Sequence, residues 1–435
     1  MENQKEKEKI RHNFFVFSLS SIILIYFFYG FFTNENAAGA GGYNGDFKLI
    51  WQNLILLKEG IIVNLNNPNY SDSRPPLSYI LHILFNPFIY NMEVFRLSNL
   101  LISSSIPFLL YLSIKENYSS LDSGLALLLS LTVTLSPYFR TTSFWALGEN
   151  YGIIFLLLSY LTYASLKKNL INLTIFKKFI IIFFLCLFSS LIVYFDQKLV
   201  FVPFLVLVLL LNLNIEIKFK IYSLFLFLIF SLPYFYLIYL WGSLIPSSAN
   251  DAREVGSSIY LFHPGYCLTI LTLAIFPFFF INDVNLKILK NKILNKNLIY
   301  ILILFIIYTL MIVFIGDFEN LRIEGKGAFH KILLILIKNS NIRLIFTLVG
   351  FLVSIIFTYL IFNSKIDLLI IVYFIILSLF TFPFYQEYLD PMLYILIFSF
   401  FKSRFKFENK KNIFLLILYF FILSWSSKYY YQMTF

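Results

Sequence analysis

The sequence predicts an all-α polytopic integral membrane protein, and two observations carry that prediction. Of its 435 residues, 59% are hydrophobic and only 13% are charged, about half the charged fraction of an ordinary soluble domain. Apolar windows of roughly 17–25 residues, the length that crosses a bilayer core of about 30 Å, recur from end to end. No long polar region interrupts them. The chain therefore reads as a single transmembrane domain over 1–435, with a first loop and its juxtamembrane helices at 34–92 and no separate soluble domain.

The elements follow in order. MENQKEKEKIRHN precedes an apolar stretch from Phe14 to Phe32, long enough to span rather than to serve as the short core of a cleaved signal. The small residues that follow, Ala37-Ala38-Gly39-Ala40, belong to a loop and not to a cleavage site. Beyond the first loop, candidate spans lie at 94–114, 122–139, 151–166, 179–195, 199–213, 221–242, 261–281, 298–315, 343–363, 366–384, 389–401 and 412–426. With 14–33 they amount to about 13 transmembrane helices.

Alternating loops then face the cytoplasm, and these contain the dense basic runs at 166–178, 216–220, 285–297 and 401–411. About 21 of the 34 Lys and Arg fall on that side and about 12 on the other, as the positive-inside bias requires. Counting the apolar segment 76–90 as a further span would invert every later loop. It is expected instead to be re-entrant or interfacial. The N-terminus is then cytoplasmic and the acidic and mixed polar groups gather on the outer face.

Several classes are disfavoured. The cysteines, Cys186 and Cys267, have neither CxxC nor Cys/His spacing, so neither a disulfide framework nor a cysteine metal site is indicated. The net charge of +11 is dispersed over short loops rather than clustered on one face, and membrane topology accounts for it better than nucleic acid does.

Chemistry is expected in the outer loops. Asp46 precedes an amphipathic pattern in which Phe47, Ile50, Leu54, Leu57 and Ile61 recur at helical spacing. It suits a helix N-cap and equally a general base or metal ligand at a cavity mouth. Arg74 stands before Pro75-Pro76 in SRPPLSY, a turn that starts a helix and that contains Tyr79. Glu149, in the outer turn 138–150, has Arg140 as its expected ion-pair partner. Lys198 in the DQK turn, and Arg322, Lys326, His330 and Lys331 in and before GKGAFHK, suit phosphate oxygens. The same cations suit snorkelling at headgroups. Tyr385, Gln386, Glu387 and Tyr388 form a late outer turn, where interfacial aromatic residues are the ordinary explanation.

A first-loop Asp, a helix, a basic residue before PPL-x-Y, an early Arg in FRLSN (95–99) and many predicted spans together resemble the GT-C superfamily of polytopic glycosyltransferases. The nearest in layout are the protein O-mannosyltransferase-like and aminoarabinose-transferase-like enzymes. The likeness covers the order of elements over the chain, with its motifs concentrated in 44–99. It implies transfer of a sugar from a polyprenyl-phosphate-linked donor to a lipid, glycan or protein acceptor, at the extracytoplasmic face of an inner (plasma) membrane. Asp46 and Glu149 map to catalytic positions and Arg74 to the basic residue before the proline pair. The family often has two adjacent acidic residues at the first position, whereas Phe47 follows Asp46 here, and a divalent metal is left open. The competing classes are a lipid-linked oligosaccharide polymerase or ligase, which would keep its main outer loop late in the chain, and a flippase or transporter, which would show repeated halves. No internal repeat is visible.

Overall fold

A computed structural model describes residues 2–37, 43–246, 248, 254–255, 258–281, 296–315, 326–362, 364–403, 405–407 and 409–434. The structure is almost wholly helical, with one two-residue antiparallel pairing, Glu254–Val255 against Thr381–Phe382. It divides into two compact units: Met1–Asp251 with Ile417–Phe435, and Ala252–Leu416.

Among the described residues, six helices are long and apolar enough to cross a membrane: Glu6–Phe32, Met92–Asn117, Ile175–Tyr194, Ile217–Trp241, Ser340–Ile361 and Lys410–Tyr431. A seventh arises if Pro137–Phe144 and Glu149–Asn169, bent by 114°, count as one span. The expected number of about 13 is not supported. Most of the remaining apolar windows form shorter helices, among them Ser123–Leu135, Gln197–Leu211, His263–Phe279 and Ile299–Phe314. At about 1.5 Å per residue, Ser123–Leu135 and Gln197–Leu211 fall short of a bilayer core of about 30 Å, while the helices His263–Ile281 and Lys296–Ile315 adjoin residues outside the described ones. The window at 389–401 contains only the six-residue helix Met392–Ile397, all of it buried. Hydropathy reports apolarity, and a core helix packed in protein is as apolar as one packed in lipid. Residues 128–150 make the point, since every one is buried. The predicted span 122–139 from Leu128 on, and the predicted outer turn 138–150, are thus core of the first unit.

In that unit the first loop folds as its pattern implies. Phe47 at the N-cap and Ile50, Leu54 and Leu57 along Lys48–Lys58 are buried on one face, whereas the expected fifth member of the stripe, Ile61, falls half-buried in a separate short helix, Ile61–Asn64, beyond Gly60. The proline pair stands just before Leu77–Phe85, a helix that stops where Asn86 turns extended. Nine residues reach about 14 Å, so this segment does not cross. Arg96 closes the loop against the bundle: its guanidinium donates to Phe144 O (2.6 Å), Phe31 O (2.8 Å) and Asn34 Oδ1 (2.7 Å). It also lies over the Trp145 ring at 4.2 Å, so a cation within an apolar span has a full set of partners, as burial demands.

In the second unit, His263–Ile281 packs on Ser340–Ile361 and Lys365–Leu379. Buried Asp367 accepts from Lys402 N, Ser403 N and Ser403 Oγ at 2.7, 2.8 and 2.6 Å, which ties down the polar turn after Met392–Ile397. Gly265 faces the fully buried Phe351, and a Cβ there would sit 2.2 Å from the ring. Gly265→Ala is therefore expected to destabilise this packing by about 1–3 kcal/mol through overpacking. Thermal unfolding of the detergent-solubilised protein measures it, with Phe351→Leu restoring part of the loss. An unchanged transition in Gly265→Ala would refute the close approach.

Candidate functional site

The first unit gathers a polar cluster from five separate pieces of chain. Asp46 lies in a five-residue π-helical turn, Tyr43–Phe47, one position before the N-cap of Lys48–Lys58. Asp72 and Arg74 lie in the loop that enters Leu77–Phe85, and Tyr79 lies in its first turn. Tyr138 comes from Pro137–Phe144, and Glu149 opens the 21-residue helix Glu149–Asn169. There its carboxylate faces the positive end of the helix dipole. Asp196 and Lys198 come from the turn that follows Ile192–Tyr194.

Arg74 is the hub. Nη1 donates to Glu149 Oε2 at 2.7 Å and Nε to Asp72 Oδ1 at 2.9 Å. The same Asp72 oxygen accepts the Arg74 backbone N–H at 2.9 Å, and Tyr79 OH donates to Asp72 Oδ2. The second oxygen of Glu149 accepts from Tyr138 OH at 2.8 Å. Burial works against the Arg74 charge, but Asp72 and Glu149, then Tyr79 and Asp46, outweigh it and push its pKa further up. Arg74 is a fixed cation.

Lys198 pairs with Asp196 at 3.3 Å and lies over the Tyr138 ring. Burial pushes the Asp196 carboxyl up, Lys198 pulls it back and Glu149 adds to the rise. Gln197 Nε2 donates to Ser73 O at 3.1 Å, joining this turn to the proline loop. Beside the cluster a cavity of about 450 Å³ is lined almost wholly by apolar groups, including Pro76, Leu77, Leu191, Phe230 and Pro233. Tyr194 lines it too, and its hydroxyl bridges Phe230 O and Tyr234 N next to the helix-interior Pro233.

The expected partnership of Glu149 with Arg140 is corrected. Arg140 is fully buried and grips Glu35 through Nε and Nη2 at 2.6 and 2.9 Å, while Glu149 takes Arg74. Lys428 reaches the same Glu35 carboxylate at 3.2 Å. Glu35 comes just after the first helix, so chain entry rather than the site claims Arg140.

The second unit brings two sequence-distant motifs together. Lys326 N donates to Phe384 O at 2.7 Å and Ala328 N to Gln386 Oε1 at 3.1 Å, so GKGAFHK is pinned to the FPFYQEY turn. Lys326 and Gly327 both have positive φ, 62° and 77°, and that conformation buries the Lys326 side chain with its ammonium over the Tyr266 ring at 5.8 Å. Burial and nearby Arg343 push Lys326 down to about 8. His330 Nδ1 meets Tyr266 OH at 3.1 Å, and Lys331 lies within electrostatic reach of Glu387. Tyr388 is buried, while Tyr385 and Gln386 are half-buried. Arg322 and the basic run 285–295 lie outside the described residues.

Sequence reasoning passed over Asp72, Tyr138 and Asp196. A signal existed for Asp72, because an Asp two residues before a turn residue is the usual acceptor of its backbone N–H. Nothing local marks Tyr138. Among the described residues, no three His, Cys, Asp or Glu side chains gather as a metal site, and no residue is given a metal role. The class that these features define is a helical membrane protein with a buried ion-paired cluster beside an apolar cavity. Compared with known protein families, curated proteins and solved structures, the chain finds no match in any of the three.

Proposed function

We propose that this chain is a membrane glycosyltransferase of the GT-C kind, moving a sugar from a polyprenyl-phosphate-linked donor to an acceptor at the extracytoplasmic face. The observation that carries the reading is the gathering of Arg74, the residue before the proline pair, with Glu149 and the Asp196–Lys198 pair, in electrostatic reach of Asp46. These groups are far apart in sequence, and the structure brings them to one place. The apolar cavity beside Pro76 and Leu77 supports a donor with a hydrocarbon chain.

In this reading Asp46 takes the proton from an acceptor hydroxyl or amine. The nucleophile attacks the anomeric carbon in line as the bond from that carbon to the phosphate oxygen breaks. The electron pair leaves on the phosphate, where Arg74 and Lys198 meet the growing negative charge. Glu149 has both oxygens engaged, by Arg74 and Tyr138, and acts as the fixed counter-ion of Arg74. In the second unit Lys326, His330, Lys331, Tyr385, Gln386, Glu387 and Tyr388 are proposed as substrate contacts.

Asp46→Asn is expected to abolish sugar transfer from lipid-linked donors in isolated membranes while expression and thermal stability stay at the level of the unaltered protein. Near-normal turnover by that variant would overturn the assignment of the base.

A further inference from the structure

Arg74 is held in an unusual manner for a residue that has a carboxylate partner. Glu149 takes only Nη1, although Arg and carboxylate groups readily meet fork to fork. Nε goes to Asp72 instead, and Nη2 makes no hydrogen bond among the described residues. The side chain is not sealed away either, since 12% of it is accessible.

We propose that Asp72 is a positioning residue, which keeps the Nη2 edge of Arg74 open by preventing the guanidinium from forking onto Glu149. The inference rests on the proposed role of Arg74 toward a phosphate. Asp72 is 3% exposed and accepts three times. Its Oδ1 binds both the backbone N–H and Nε of Arg74, which couples the side chain to its own main chain and fixes the plane of the guanidinium. Its Oδ2 is seated by Tyr79 OH, from the first turn of the helix that the proline pair introduces. Tyr70 OH donates to Arg74 O at 3.1 Å and holds the loop from the other side. Without Asp72, Glu149 is the carboxylate already bonded to the guanidinium, and a two-point pair with it would consume both Nη groups. The open edge, two N–H donors on a permanent cation, is what a phosphate oxygen needs.

The test uses the full chain in detergent and two probes that differ only in the headgroup, farnesyl monophosphate and farnesol. The readout is the ratio of their affinities, which a merely structural role would not move. Asp72→Asn keeps the size and one acceptor but loses the charge, and is expected to weaken farnesyl phosphate by about tenfold, the scale of one charge-assisted hydrogen bond. Farnesol binding should be unchanged. In an Arg74→Lys background, which has no fork to steer, Asp72→Asn should change the ratio no further. Tyr79→Phe removes only the hydroxyl that seats Asp72 and should lower the ratio severalfold, so it decides the matter if Asp72→Asn does not fold. The proposal is overturned if Asp72→Asn and Tyr79→Phe keep the original ratio, or weaken both probes equally. A separate result, an unchanged ratio in Arg74→Ala, would overturn the role of Arg74 itself.

Discussion

Replacing Arg140 with methionine is expected to destabilise the protein by about 3–5 kcal/mol, the cost of breaking a buried ion pair by removing one partner. Arg140 is 0% exposed and Glu35 is 1% exposed. Besides its two bonds to Glu35, the guanidinium donates to Tyr26 O at 3.1 Å and lies 4.0 Å from the centre of the Tyr26 ring. Methionine fills similar volume, so most of the loss is the stranded Glu35 carboxylate rather than a cavity. Lys428, 3.2 Å from Glu35, keeps part of that charge paired and should hold the loss to the lower end of the range. Removing both charges, Glu35→Gln with Arg140→Met, should cost less than Arg140→Met alone. Thermal or denaturant unfolding in detergent decides: a double variant no more stable than the single one would show that the pair is not the source of the effect.

Arg74→Ala is expected to lower sugar transfer by about 10²–10³-fold, the scale on which a single pre-organised charge donor acts at a developing oxyanion. The substitution also leaves Glu149 and Asp72 without their shared cation, so stability should fall as well. Turnover must therefore be normalised to folded protein. Arg74→Lys separates the two effects, because it keeps the charge between the carboxylates while losing the planar fork. It should recover most of the stability and little of the turnover. Full activity in Arg74→Ala, per folded molecule, would remove Arg74 from the chemistry.

The legible and illegible parts of this molecule divide along a physical line. The stripe Phe47, Ile50, Leu54, Leu57 was readable because helical period and burial are local properties. The proline pair announced its helix for the same reason: a fixed φ and a missing donor act on neighbours only. Arg74, Glu149 and Lys198 stood out as charges in an apolar chain. Their partners did not, since an ion pair between residues 74 and 149 is set by how loop and helix dock. Arg140 shows the consequence. Proximity in sequence pairs it with Glu149, nine residues away, yet it lies against Glu35, 105 residues away.

The number of spans failed for a related reason. Composition establishes that the chain is helical and rich in membrane-compatible segments, because lipid and protein interior reject charge alike. That same equivalence hides which apolar helices face lipid. The apolar helix that ends the predicted span 122–139 is enclosed by protein from Leu128 on.

By itself, then, the sequence determined the class of protein, the amphipathic first loop and the charges worth watching. Tertiary structure alone decided that six or seven of the described helices are long and apolar enough to cross, that Glu149 belongs to Arg74, and that Asp72 takes the other side of the same guanidinium. Periodicity and hydropathy are sums over neighbours in the chain, whereas a buried charge finds its partner in three dimensions.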